Sequence, residues 1–162
     1  LAKKGAILVT FEKNGQKINI LGTHLQAGSE LSTKKIRAAQ INEITEVVQD
    51  LDSSSILIYA GDFNIKKNST MFGSLTKKLK SNNPRLNKKS KRTSTANFKD
   101  NGLYPTKGTP SWIDYILVRR ASRVSQKSLW IDEPRGEKRR KNKRLSDHNP
   151  VLSIVEYETK LN

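Results

Sequence analysis

A chain of 162 residues has room for one ordinary core, since a domain of that size buries roughly two thirds of the surface its unfolded form exposes. Its 31 Lys+Arg against 15 Asp+Glu leave a formal charge of +16, a field that draws polyanions, nucleic acid or an anionic lipid surface, without choosing among them. With no cysteine, disulfides and thiolate metal sites are excluded, and no apolar run reaches the roughly 18 residues that a membrane-spanning helix needs.

Residues 6–11 (AILVTF) and 17–21 (KINIL) are apolar, β-branched runs on either side of Asn14-Gly15. That dipeptide supplies the positive φ of a tight turn, so the pair predicts a β-hairpin. From residue 33 to 51 the positions Ile41, Ile44, Val48 and Leu51 recur at spacings of three and four, which predicts a helix with Ser32 or Thr33 as N-cap. Residues 56–60 (ILIYA) lack polar alternation and read as a strand buried on both faces, ended by Gly61. Residues 64–110 are rich in Lys, Ser, Asn and Gly; a short helix is expected near 70–79, and most of the stretch is expected outside the core. Two further strands are expected at 112–118 (WIDYILV) and 150–157 (PVLSIVEY). Two basic stretches, 77–92 and 135–144, lack aromatic interleaving and read mainly as solvated loops. The order of elements indicates an α/β layered fold with polar motifs at strand ends.

Four short motifs fall at those ends: Gly22-Thr23-His24-Leu25-Gln26, Gly61-Asp62-Phe63-Asn64, Ile113-Asp114-Tyr115-Ile116 and Ser146-Asp147-His148-Asn149-Pro150. Each alone has a plain reading, such as a turn in which Asp and Asn cap backbone groups. Together they gather three carboxylates, an amide and both histidines of the chain, a set suited to metal-assisted hydrolysis of a phosphate ester. Carboxylates hold a hard cation such as Mg²⁺, a histidine takes a proton from water, and an aspartate fixes that histidine's tautomer.

In this order, from Gly22 to Val151, the four blocks resemble the signature of the endonuclease/exonuclease/phosphatase superfamily, with its deoxyribonuclease I-like fold. The run GTHLQAGSELSTKKIRAAQINEI and the approach to WIDYILV resemble its bacterial neutral sphingomyelinase branch. The resemblance implies an α/β chain forming the C-terminal part of a two-sheet, four-layer sandwich. It implies His148 as the general base, Asp114 as the residue orienting it, and Asp147 as a ligand of Mg²⁺ or another divalent cation. Asp62 and Asn64 would position the reacting oxygens, and His24 would donate to the phosphoryl group. Arg37 and Gln40 read instead as residues joining helix to loop.

The resemblance also marks an absence. Family members carry, upstream of this hairpin, a strand ending in Asn and another ending in a Gln-Glu pair whose Glu is the principal metal ligand, and neither block is present. The chain also does not begin with Met. Residues 1–162 therefore read as a single partial catalytic domain, without the family's N-terminal half and with Ile18, Ile20, Ile58 and Ile116 lacking an opposing sheet. It would act on a phosphodiester, phospholipid first and nucleic acid second, at an anionic membrane surface, and would self-associate or need the complementing half. The sphingomyelinase-like reading would make it a secreted protein. The alternatives are a Mg²⁺-dependent nuclease of the same superfamily and, from another class, a catalytically incomplete polyanion-binding fragment.

Overall fold

The structure is a computed structural model, and it describes residues 4–96, 109–119, 121, 123–132 and 146–158. The basic stretch 135–144 lies outside the described residues.

The predicted hairpin is formed by β1 (Ala6–Lys13) and β2 (Gln16–His24), with Lys13 opposite Gln16. Asn14 and Gly15 take φ of 51° and 71°, the positive values a two-residue turn requires. Helix α1 (Leu31–Gln49) carries the chain over to β3 (Ile56–Asp62), which pairs parallel with β2. A parallel neighbour needs such a crossover, since no tight turn can make one. Helix α2 (Thr70–Lys78) follows, and β4 (Asp114–Val118) then joins β3 antiparallel, giving the sheet order β1-β2-β3-β4.

Side chains alternate along strands, so the register assigns every row to a face. Leu8, Leu21, Tyr59 and Leu117 form one row across the four strands. They share one core with Ile41, Ile44 and Val48 of α1 and Phe72 and Leu75 of α2. Leu8 is only partly buried, and burying each of the others fully contributes about 1.5–3 kcal/mol. The next row, Val9, Ile20, Ile58 and Val118, belongs to the opposite face. That face is covered unevenly. Val118 and Ile56 are buried beside β4, whereas Ile7 (72% exposed), Val9 and Phe11 on β1 are bare. Of the four isoleucines expected to lack cover, Ile20, Ile58 and Ile116 are half-buried, but Ile18 is only 7% exposed and is therefore covered.

Several expectations are corrected. Helix α1 begins two residues before Thr33, with Glu30 as a cap whose side chain makes no capping bond to the first turn. The Thr33 hydroxyl donates back to Glu30 O (2.8 Å) and so serves the first turn from inside it. Gly61 does not end β3. The strand runs on to Asp62, and glycine is required because φ is +137° and an added Cβ would stand 1.9 Å from Thr23 O. The stretch expected outside the core supplies buried Ile65, Phe72, Leu75, Leu79 and Ala96. The last expected strand is two, β7 (Val151–Leu152) and β8 (Val155–Tyr157), pairing with the unpredicted β6 (Trp130–Ile131) and β5 (Val124–Gln126). Both pairs belong to one antiparallel run, broken where residues 127–129 lie opposite only residues 153–154. That mismatch of one residue is the condition for a bulge.

Candidate active site

The sheet register brings three of the four motifs together. His24 ends β2, Asp62 ends β3 and Asp114 starts β4, and in the ladders His24 lies beside Asp62, which lies beside Asp114. The row belongs to the same face as Ile20 and Ile58, at the end of the uneven apolar surface. His148, from the loop before β7, completes the group: its Nδ1 donates to Asp114 Oδ2 at 2.8 Å. One side-chain atom each from Asp62, Asp114 and His148 lie within 4.8 Å of one another.

Backbone chemistry fixes each member. Asn64 takes φ of +50°, a conformation Asn tolerates, and this folds its backbone N–H onto Asp62 Oδ1 (2.7 Å) and its amide onto Asp62 Oδ2 (3.2 Å). The same amide donates to Leu25 O (3.0 Å), while Leu25 N donates to Asp62 O (2.9 Å), so the ends of β2 and β3 are locked together. The His24 imidazole is exposed, with Nε2 3.4 Å from Asp62 Oδ2. Asp147 is exposed on the rim of the cleft beside His148, outside the compact cluster. The cleft measures about 960 Å³ and runs from these residues between Lys34 and Arg37 of α1 and Thr70, Met71 and Ser74 of α2.

Residues the sequence reading assigned no part do much of the holding. Thr95, fully buried, accepts at Oγ1 from the backbone N–H groups of both Ile113 (3.0 Å) and Asp114 (3.1 Å), and its carbonyl accepts from Asn149 N (2.8 Å). The Asn149 amide donates to Ser94 O (2.8 Å), and His148 N donates to Ser146 Oγ (3.1 Å). Ser94-Thr95 thus ties the strand carrying Asp114 to the loop carrying His148. Asn149 stood within a quoted motif and was its visible trace, whereas nothing distinguished Ser94-Thr95 in a Ser/Thr-rich stretch. Arg37 and Gln40 join helix to loop as expected. Arg37 Nη1 donates to Gln26 O and Gly28 O, and Gln40 Oε1 accepts from Gln26 N.

Electrostatically the cluster is acidic and strained. Burial, then the charge of Asp114, pushes the Asp62 carboxyl above its ordinary range, against the Asn64 N–H bond and the two histidines. The Asp114 hydrogen bond raises the His148 imidazole above 6.5 despite burial, and the charges of Asp114, Asp62 and Asp147 add to this. Two adjoining carboxylates with a nearby imidazole form an oxygen-rich donor set, and their mutual repulsion is what a hard divalent cation relieves. Chemically, the imidazole held at Nδ1 offers Nε2, in its neutral form, as a proton acceptor.

A layered α/β domain that holds a carboxylate-oriented imidazole at its strand ends has a cleft able to take up a proton beside an acidic, cation-attracting group. The chain belongs to the Endonuclease/Exonuclease/phosphatase family, whose model matches residues 7–148. It is 28% identical over 167 residues to a sphingomyelinase C of Leptospira interrogans, covering 95% of this chain and 30% of the relative. It is 29% identical over 127 residues to a phospholipase C of Staphylococcus aureus, covering 72% of this chain and 37% of the relative. Among solved structures, a Staphylococcus aureus beta toxin variant with bound magnesium ions superposes with a TM-score of 0.74 at 23% identity, over 96% of this chain and 58% of the toxin. The chain thus has the α/β fold of that toxin and spans about a third of the length of these two curated relatives.

Proposed function

We propose that this chain carries the water-activating part of a Mg²⁺-dependent phosphodiesterase acting on a sphingomyelin-like phosphocholine lipid. The observation that carries the reading is the 2.8 Å bond from His148 Nδ1 to Asp114, with His148 lining one cleft together with Asp62, Asn64 and His24. His148 Nε2 takes a proton from water as the water oxygen bonds to phosphorus. The bond from phosphorus to the lipid oxygen breaks, and that oxygen leaves with the electron pair and is protonated from solvent. Asp114 keeps the imidazole in the accepting tautomer and stabilises it once protonated. Asn64 holds Asp62 against the reacting oxygens, and His24 donates to a phosphoryl oxygen as negative charge builds there. Asp147 at the rim, with carboxylate oxygens of the cluster, would hold Mg²⁺, which when bound offsets charge on the phosphoryl group. The bare apolar surface of β1 supports the reading of residues 1–162 as a partial domain whose covering sheet comes from a further segment or from self-association.

A nuclease is the second reading, favoured by the charge of +16, which would neutralise backbone phosphates. One experiment separates the two. The full-length protein in Mg²⁺ is given sphingomyelin vesicles and plasmid DNA, and phosphocholine release and nicking are measured side by side. Phosphocholine release supports the lipid reading; nicking without release would replace it with the nuclease.

A further inference from the structure

The segment after β2 has no secondary structure, yet it is held at several points. Leu25 is bonded through N to Asp62 and through O to Asn64. Gln26 N donates to Gln40 Oε1 at 2.9 Å. Arg37 Nη1 donates to Gln26 O at 2.7 Å and to Gly28 O at 2.8 Å. Gly28 has φ of +113°, and a Cβ there would fall 2.9 Å from Thr33 Cγ2, so α1 and this segment fit closely.

Arg37 is an expensive way to make that fit. It is only 3% exposed, its Nε is buried without a partner, and among the described residues no carboxylate stands at ion-pairing distance from it. A buried guanidinium whose donors are partly unused costs stability that an apolar side chain of similar volume would not. What the charge does supply is a firm hold on two carbonyls, two and four residues beyond His24, and a positive charge near Asp62 on the cleft wall. His24 itself is exposed, and among the described residues the one ion-pairing partner of its ring is Asp62, at the loose distance of 3.4 Å. The backbone after it must therefore set where the imidazole stands.

We propose that Arg37 is the positioning residue of this cleft: by clamping Gln26 O and Gly28 O it holds the His24 imidazole over Asp62, where it can reach a phosphoryl oxygen. The catalytic consequence rests on the phosphodiesterase reading, but the placement of His24 does not, and the two are tested apart.

In the full-length protein labelled with ¹⁵N-histidine, the ring signals of His24 and His148 are assigned by their loss in His24→Gln and His148→Gln. In Arg37→Met the His24 ring signals should move to those of a solvent-averaged imidazole while the His148 signals, held by Asp114, stay in place. Arg37→Lys, which keeps the charge and can reach a carbonyl, should restore them in part. Gln40→Leu, which frees Gln26 N without burying or removing a charge, should shift His24 in the same direction by less. Unchanged His24 signals in Arg37→Met overturn the proposal. If Arg37→Met does not melt cooperatively, Gln40→Leu decides, and unmoved His24 signals there overturn the proposal equally. In the full-length protein, Arg37→Met should lower kcat about tenfold with KM held within about twofold, and should cost nothing further in a His24→Ala background. A second full loss in that background would mean a merely structural role. Full turnover in His24→Ala alone would remove His24 from the reaction, and the ring signals would still judge the clamp.

Discussion

Asp114→Asn keeps the shape of the side chain facing His148 but removes its charge, so its cost should depend on pH in a direction the structure fixes. The Asp114 hydrogen bond raises the folded pKa of His148 above its ordinary 6.5, so the native state binds that proton more tightly than the unfolded chain does. This stability is fully present below the unfolded pKa and is lost as pH rises through the folded one. The bond is 2.8 Å long, with the His148 and Asp114 side chains 27% and 18% exposed, so solvent screens it only in part. A charge-assisted bond of this kind contributes about 1.5–3 kcal/mol, and about half of that should depend on the imidazolium charge. Relief of Asp62 adds to the effect with the same sign, because Asp114's charge disfavours an ionised Asp62. Urea unfolding of parent and variant at about pH 5.5 and about pH 9 should show the variant losing about 1–2 kcal/mol more at the lower pH, with an unchanged m value. Equal losses at both, or a larger loss at high pH, would refute the pairing as the source of the shift.

Gly61→Ala should destabilise the domain by more than about 3 kcal/mol, because the strained φ and a Cβ 1.9 Å from Thr23 O force β2 and β3 apart. A denaturant midpoint near that of the parent would contradict the close approach. Asp62→Ala in the full-length protein should reduce turnover by about a hundredfold or more while circular dichroism stays unchanged, and near-normal kcat would remove it from the site. The 162-residue chain, with Ile7, Val9 and Phe11 exposed on one strand, should self-associate in sedimentation experiments, whereas Val9→Lys should shift it toward monomer. A strictly monomeric parent at tens of micromolar would mean that the bare surface is tolerated.

The parts of the fold legible in the sequence were those whose signal is local. Asn14-Gly15 can be read because positive φ at two adjoining residues is a property of those residues alone, and the α1 face because Ile41, Ile44 and Val48 mark one side of a helix. The short helix near 70–79 was legible too, but a Lys- and Ser-rich surrounding composition hid that Phe72, Leu75 and Leu79 enter the core. The start of α1 was misplaced because Thr33 bonds backward to Glu30, and a hydroxyl's direction is not written in its neighbours. The offset between residues 127–129 and 153–154 depends on two distant segments at once. Of the candidate site, the catalytic-type side chains were visible as motifs at strand ends. Their convergence is a matter of register, His24 to Asp62 to Asp114, and their rigidity rests on Thr95, whose hydroxyl has meaning only once β4 and the loop before β7 are brought to it.

The central claim is that His148, oriented by Asp114, takes the proton of the attacking water. The most direct measurement is phosphocholine release from sphingomyelin vesicles in Mg²⁺ by the full-length protein and its His148→Ala variant, each checked for an intact fold by thermal unfolding. The account predicts a loss in kcat of at least about a hundredfold with little change in KM, as expected when a general base is removed. Turnover by His148→Ala within a few fold of the parent would contradict it.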